Sequence, residues 1–427
     1  MIRYLSHQLP SKLKIYIFLA LSSIITIIVI DFFLTYSEHA QNTFKHLISS
    51  KPYLSFVITP VVFVLVVYIT KYFCHYVQGS GIPQLIIAND SRNKSIRKKL
   101  LSFRVATGKI ILIFAGMLGG APIGIEGPSI HIGGSIFFGF NKFIKFKRKL
   151  LIHSLIAIGG STGLIIAFNA PIAGFMFSFE EIGRKLKKQA LILIAIVSGL
   201  VYLLAIIYRG NSIYLSDMSA NSIDLILIWQ LLPLVILSGI FGGLFSKTTL
   251  YLIKIFTAYT KIKVIMIALI LGLIIALFNY LSQGQIAGSG REEVLLILAG
   301  YQFDNDFIVM KYLSTLSSLA STIPGGLFMP SISIGAGIGS EMSNYYSQIN
   351  PQIIIIMSMI AYLTAVIRTP LTCTFVILEM TNTLNLLIPA LIVAFIANWI
   401  SKQISKPPIY EALANNYLKL TQKTKTV

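Results

Sequence analysis

The sequence predicts an all-α polytopic membrane protein, and three observations carry that prediction. Of 427 residues, 55% are hydrophobic and only 12% charged, against roughly a quarter charged in soluble domains; the mean hydropathy is +0.79. Apolar stretches recur at about 15–34, 53–73, 108–123, 151–179, 190–208, 225–246, 262–281, 312–339, 352–367 and 384–400, several approaching the ~20 residues that span hydrocarbon. Motifs of Gly and Pro precede or interrupt some of them, which a membrane tolerates only where surrounding protein satisfies the freed backbone groups.

Taken in order, residues 15–34 follow basic residues as a signal peptide would, but no small-residue cleavage site is evident, so they are read as a mature helix. Gly79-Ser80-Gly81-Ile82-Pro83 precedes an apolar run, Gly124-Ile125-Glu126-Gly127-Pro128 interrupts a second, and Pro324-Gly325-Gly326-Leu327-Phe328-Met329-Pro330 interrupts a third. Proline suits the first turn of a helix, where its missing N–H would be unpaired anyway. Each motif therefore predicts a helix that starts at membrane depth. Helix N-termini carry about +0.5 of an elementary charge and unpaired N–H donors, so several converging would bind an anion without a fixed Lys or Arg. Ser80 adds a hydroxyl donor. A kink or packing contact would explain one such break; three of one form, one bearing a carboxylate, favour an ion pathway.

That carboxylate, Glu126, shares the stretch from Ile110 to Phe140 with His131 as the only other ionisable group. A charge at that depth costs roughly 2.5–3.5 kcal/mol on insertion scales, and its default reading is an ion or proton path. Glu180, Glu181 and Glu379 also lie within or against apolar sequence. Asp31, Glu38, Asp90, Asp217, Asp224, Asp304, Asp306 and Glu411 fall near segment ends or loops, and Glu292, Glu293 and Glu341 are not placed by pattern. The net charge of +20 is concentrated between apolar segments, at Arg92 to Lys99, Lys142 to Lys149, Arg184 to Lys188 and after Lys402. That distribution predicts cytoplasmic flanks against anionic headgroups and argues against nucleic acid as a partner. Cys74 and Cys373 lie in or beside apolar segments, which speaks against a disulfide framework. The six His show no metal spacing, and His131 is expected to pack. No cofactor is expected. An intramembrane hydrolase lacks support, with no paired-Asp motif, no metal-ligand spacing and no nucleophile beside a base.

The three broken motifs, together with Phe168-Asn169-Ala170-Pro171-Ile172-Ala173-Gly174, Arg368-Thr369-Pro370-Leu371-Thr372 and Leu378-Glu379-Met380-Thr381, resemble in sequence and order those of the CLC family of chloride channels and chloride/proton antiporters. The likeness runs from about residue 79 to Tyr410. It implies a CLC-type inverted-topology repeat with broken and re-entrant helices, in a homodimer with one pathway per subunit. It also implies a single transmembrane domain over 1–412, with halves of about 34–209 and 215–400 and a C-terminal helix carrying Tyr410, then a short basic cytoplasmic tail at 413–427. Too few residues follow Tyr410 for a nucleotide-binding regulatory domain.

The same resemblance implies the site. Chloride is the substrate, held by the Ser80 hydroxyl with Gly81 and Ile82 beside it, by the amides of Leu327 and Phe328, and by the hydroxyl of Tyr410 in Lys406-Pro407-Pro408-Ile409-Tyr410. Glu126, followed by Gly127, is the gating glutamate, whose carboxylate takes an anion position when ionised and swings away when protonated. Elementary chemistry agrees: carboxylate and chloride are both acceptors for the same N–H groups, and protonation favours release of the carboxylate. Glu181 fits the internal proton-transfer glutamate, with an interfacial acid as its alternative. Glu180 reads as an interfacial acid balancing Arg184 to Lys188, and Glu379 as a structural acid. The implied function is electrogenic chloride/proton exchange across a bacterial-type inner membrane; the alternative is a passive, voltage- or pH-gated chloride channel. Ile125 stands where many relatives place a basic residue, and Met329 lies beside the anion-binding amides. The unaltered Gly79-Ser80-Gly81-Ile82-Pro83 favours chloride over fluoride or nitrate.

Overall fold

A computed structural model describes residues 11–91, 93–144, 149–183, 187–210, 213–218, 225–258, 261–304 and 306–423. Its elements in the first half are α1 (Ser11–Ser50), α2 (Ser55–Tyr72), α3 (Ile82–Asp90), α4 (Lys94–Leu100), α5 (Phe103–Leu118), α6 (Glu126–Ile144), α7 (Lys149–Phe168), α8 (Pro171–Phe177) and α9 (Lys188–Arg209). The second half comprises α10 (Leu232–Ala258), α11 (Lys261–Leu281), α12 (Arg291–Leu298), α13 (Asp306–Ala320), α14 (Phe328–Ser343), α15 (Pro351–Ile367), α16 (Pro370–Met380) and α17 (Leu387–Ile404), and α18 (Ile409–Lys423) follows. Seven helical segments among the described residues are long and apolar enough to cross a membrane.

Two of the long apolar stretches split where the backbone demands it. The 151–179 stretch breaks at Asn169, in the left-handed region at φ 54°, and Pro171 then opens α8. Arg368, at φ 69°, ends α15 in the same way before Pro370 opens α16. The 312–339 stretch divides into α13 and α14 around Pro324-Gly325-Gly326.

One expectation is corrected. Helix α1 is 40 residues long, about 60 Å at 1.5 Å per residue, and runs well beyond the apolar stretch that ends at residue 34. Its polar half stays helical because it packs on the second half of the chain: Gln41 Oε1 accepts from Ser289 N at 2.9 Å, Glu38 pairs with Arg291, and Lys45 with Glu292 and Glu293. Asp31 and Glu38 are thus mid-helix residues with partners, Asp31 bonded to Arg209, and not segment-end acids. Helix α18, which carries Tyr410, extends through residues 413–423.

Apart from α4, the helices of the two halves follow the same order. Each contains a short helix, α3 or α12, entered through a left-handed glycine, Gly81 at φ 96° or Gly290 at φ 89°. Each then has a long helix, an extended break, a buried helix and its packing mate, α6 on α7 or α14 on α15. These mates approach so closely that a Cβ on Gly133 would fall 2.2 Å from the Gly159 carbonyl oxygen, the small-residue packing usual for helices in lipid. Large apolar side chains point outward, among them Trp229, Trp399, Ile207 and Ile262.

Candidate functional site

The three broken motifs meet. Gly124 and Gly326 form an isolated antiparallel bridge, with Gly124 N donating to Gly326 O at 2.8 Å and Gly326 N to Gly124 O at 2.6 Å. Such a reciprocal exchange has a local two-fold and relates the start of α6 to the start of α14. Gly325 N donates to Gly79 O at 3.3 Å, tying in the turn before α3. Gly127 closes the group: a Cβ there would stand 2.9 Å from Ser80 Cβ and 3.5 Å from Gly326 Cα. The N-termini of α3, α6 and α14 therefore converge on one place, as their motifs predict.

Glu126 opens α6 at the centre of this crossing and is fully buried. Its carboxylate faces the backbone amides of Ile125, of Glu126 itself and of Met329, yet neither oxygen completes a full hydrogen bond among the described residues. Amides from both halves thus point at one carboxylate. Gly124, absent from the expected site, is what leaves room for it: a Cβ on Gly124 would lie 2.5 Å from Glu126 Oε2 and 3.1 Å from Pro330 Cδ.

The remaining expected residues surround this point. Ser80 is buried, and its Oγ accepts from Ile82 N at 3.3 Å, which leaves its O–H to donate elsewhere. Gly81 turns the chain with φ 96°, and a Cβ there would strike the His131 side chain at 2.4 Å. His131 is accordingly a packing residue, its Nε2 donating to Leu100 O at 3.0 Å. Leu327 caps α14 and Phe328 begins it, so their amides are among those a helix start leaves without intrahelical partners. The Phe328 ring stacks on Tyr410 at 6.3 Å. Tyr410 is fully buried and its hydroxyl has no hydrogen-bond partner among the described residues, although it lies close enough to both Glu126 and Glu181 for their charges to interact. A cavity of about 80 Å³ reaches Ser80 and Leu327 from the side of α18, lined also by Gln84, Thr322, Asn416 and Tyr417.

The second carboxylate cluster divides its roles. Glu180 is corrected from an interfacial acid: its oxygens accept from Leu371 N at 3.1 Å, Thr372 N at 2.6 Å and Thr372 Oγ1 at 2.7 Å, so it caps α16. Glu379 does the same for α8, accepting from Ile172 N at 3.0 Å and Ala173 N at 2.8 Å. Each half thus caps a helix of the other, and Glu379 is the structural acid expected. Glu181, the neighbour of Glu180, is buried and lies near enough to Tyr410 for its charge to interact with it. Residues 184–186 of the adjoining basic run lie outside the described residues.

Two buried lysines are absent from the expected site. Lys109 Nζ donates to Val77 O at 2.7 Å and Gly79 O at 2.8 Å, bracing the turn that presents Ser80. Lys311 Nζ repeats this in the second half, at Ile286 O (2.9 Å) and Gly288 O (3.2 Å). The turn it braces, Gly288-Ser289-Gly290, copies Gly79-Ser80-Gly81. That internal repeat is the signal that would have found both lysines.

Fold and site together define an integral, multi-pass α-helical membrane protein in which broken helices of two related halves point their N-termini at a buried carboxylate. The chain belongs to the voltage gated chloride channel family, whose pattern matches residues 62–402. It is 28% identical over 370 residues to the H(+)/Cl(-) exchange transporter ClcA of Vibrio campbellii, covering 82% of this chain and 77% of that protein. In fold it is similar to a slow cyanobacterial Cl-/H+ antiporter, with a TM-score of 0.84 at 23% identity over 96% of this chain and 99% of the other. It is also similar to a eukaryotic CLC transporter, with a TM-score of 0.78 at 22% identity over 97% of this chain and 74% of the other. A CLC-type fluoride/proton antiporter aligns with a TM-score of 0.75 at 18% identity over 94% and 98%.

Proposed function

We propose that the protein exchanges chloride against protons across a bacterial inner membrane, with Glu126 as the gating and proton-coupling carboxylate and Glu181 as the internal proton-transfer carboxylate. The observation that carries this reading is the seat of Glu126: a buried carboxylate facing amides of both halves, at the point where three helix starts converge. A chloride would be an acceptor for those same amides, so the two compete, and protonating Glu126 favours the chloride. One side chain then couples an anion to a proton. The orphan hydroxyl of Tyr410 and the donor of Ser80 complete the chloride's coordination with the Leu327 and Phe328 amides, and Gly81, Ile82 and Gly127 shape the backbone around it. Glu181 supplies the proton's route to the side marked by the basic run after it. The name of the Vibrio campbellii relative supports exchange. We take the halves as about 34–209 and 215–400, each subunit of a homodimer holding its own pathway. Moving chloride and protons in opposite directions carries net charge, worth about 2.3 kcal/mol per elementary charge per 100 mV. Liposomes holding the purified chain under a chloride gradient test this: exchange drives protons uphill, whereas a passive chloride path leaves them at their own equilibrium.

A further inference from the structure

A second set of polar groups near Glu126 lies outside the mechanism above. Arg291, the first residue of α12, donates through Nη1 to Glu38 Oε1 at 3.0 Å and through Nε and Nη2 to the Tyr214 carbonyl at 3.2 and 2.8 Å. Its guanidinium also lies over the Tyr214 ring, 4.4 Å from the centroid. That ring meets Phe168 edge-on at 5.6 Å, and Phe168 lies 5.9 Å from Phe328. Tyr214 and Glu38 are both near enough to Glu126 for their charges to interact. Two tyrosines, Tyr410 and Tyr214, therefore lie within charge-interaction range of Glu126.

The neighbouring cations are differently engaged. Lys45 is held by two carboxylates, Glu292 and Glu293, and Arg209 by Asp31 and the Ile166 carbonyl. Arg291 shares one carboxylate, and both members of the pair reach solvent, with side-chain exposures of 31% and 42%. A guanidinium has five N–H donors, and three of these are used here. A partly exposed arginine with donors to spare, beside a tethered carboxylate that itself lies within charge-interaction range of Glu126, can repeat the competition that Glu126 sets up at the centre.

We propose that Arg291 recruits the transported anion on the Glu126 side, and that Glu38 is the tethered counter-ion which an incoming chloride displaces from it. This rests on the exchange reading above for the identity of the anion. Charge in a cleft raises the local concentration and arrival rate of an oppositely charged substrate, so the effect belongs in apparent affinity and not in maximal rate. A purely structural tie between α1 and α12 would behave otherwise, because breaking it from either end would have the same consequence.

The test is the dependence of initial chloride flux on chloride concentration for the full chain in liposomes. Glu38→Gln should lower the half-saturating chloride concentration and Arg291→Gln should raise it, each by roughly three- to tenfold, with maximal flux little changed. Arg291→Lys keeps the charge and should stay near the unmodified protein. Shifts in the same direction for both Gln variants, or no shift in either, overturn the proposal. Should Arg291→Gln fail to fold, Glu38→Gln decides alone: a lowered half-saturation supports recruitment, and an unchanged or raised one refutes it. Opposite shifts in a protein that moves chloride without protons would leave recruitment standing and remove the exchange reading; coupled exchange with no shifts would do the reverse.

Discussion

At the scale of single residues, the site depends on what glycine permits. Glu126 can fold against the amides of Ile125 and Met329 because Gly124 has no side chain to meet Oε2 at 2.5 Å. Gly124→Ala should therefore displace the carboxylate and lower coupled exchange more than it lowers stability; normal coupling in that variant would show that the carboxylate does not need this seat. Gly81→Ala combines a left-handed φ of 96° with a 2.4 Å collision against His131. Strain of that kind costs of order 1–3 kcal/mol, readable as a lowered unfolding midpoint in detergent. Ser80, Glu126 and the Gly-Pro breaks were legible in the sequence because their signals are local: a proline, a glycine or a charge in an apolar run. Lys109 and Glu38 were not. Lys109 stands at the end of an apolar stretch where a snorkelling lysine would look the same, and its purpose is set by carbonyls at Val77 and Gly79. Glu38 falls where the apolar pattern of α1 has ended, and only its partner Arg291, far along the chain, shows that the helix continues.

At the scale of elements, short helices that begin inside the protein must have their first amides satisfied. Helices α8 and α16 receive carboxylates for this purpose, each from the other half of the chain. Hydrogen bonds to a charged group contribute about 1.5–3 kcal/mol each, and a negative charge also complements the helix N-terminus. Glu379→Gln and Glu180→Gln should each lower stability by roughly 1–3 kcal/mol, measured by unfolding in detergent, while chloride flux persists in the folded fraction. Unaltered stability in both would mean that the caps are incidental. Pro171 and Pro370 open these two helices, within motifs that were legible only through the family resemblance. The caps were not, since adjacent glutamates ahead of a basic run look like interfacial acids until the fold carries Glu180 to α16.

At the scale of the whole molecule, two halves joined about a local two-fold place their helix starts back to back, and the Gly124–Gly326 exchange is the hinge of that arrangement. The repeat was only half visible in the sequence. The α6 and α14 motifs share a Gly and a Pro at matching places, but the second copy of the Gly79-Ser80-Gly81 turn, Gly288-Ser289-Gly290, runs into Arg291 and Glu292 where the first runs into Ile82 and Pro83. Without the proline and the apolar run it passes for a loop. On the proposals above the asymmetry has a functional reading: one copy of the turn carries Ser80 as an anion ligand, and the other leads into Arg291 as an anion recruiter. The proposed exchange has the two carboxylates act in series, and Tyr410 is near enough to both for their charges to interact. Replacing Glu181 by Gln should spare chloride movement and slow proton movement, and undiminished coupling would return Glu181 to an interfacial acid. The most direct measurement is proton flux in liposomes carrying an inward chloride gradient, for the unmodified chain and for Glu126→Gln. The account predicts uphill proton movement in the first and, in the second, residual chloride flux with none; coupled exchange surviving in Glu126→Gln would contradict it.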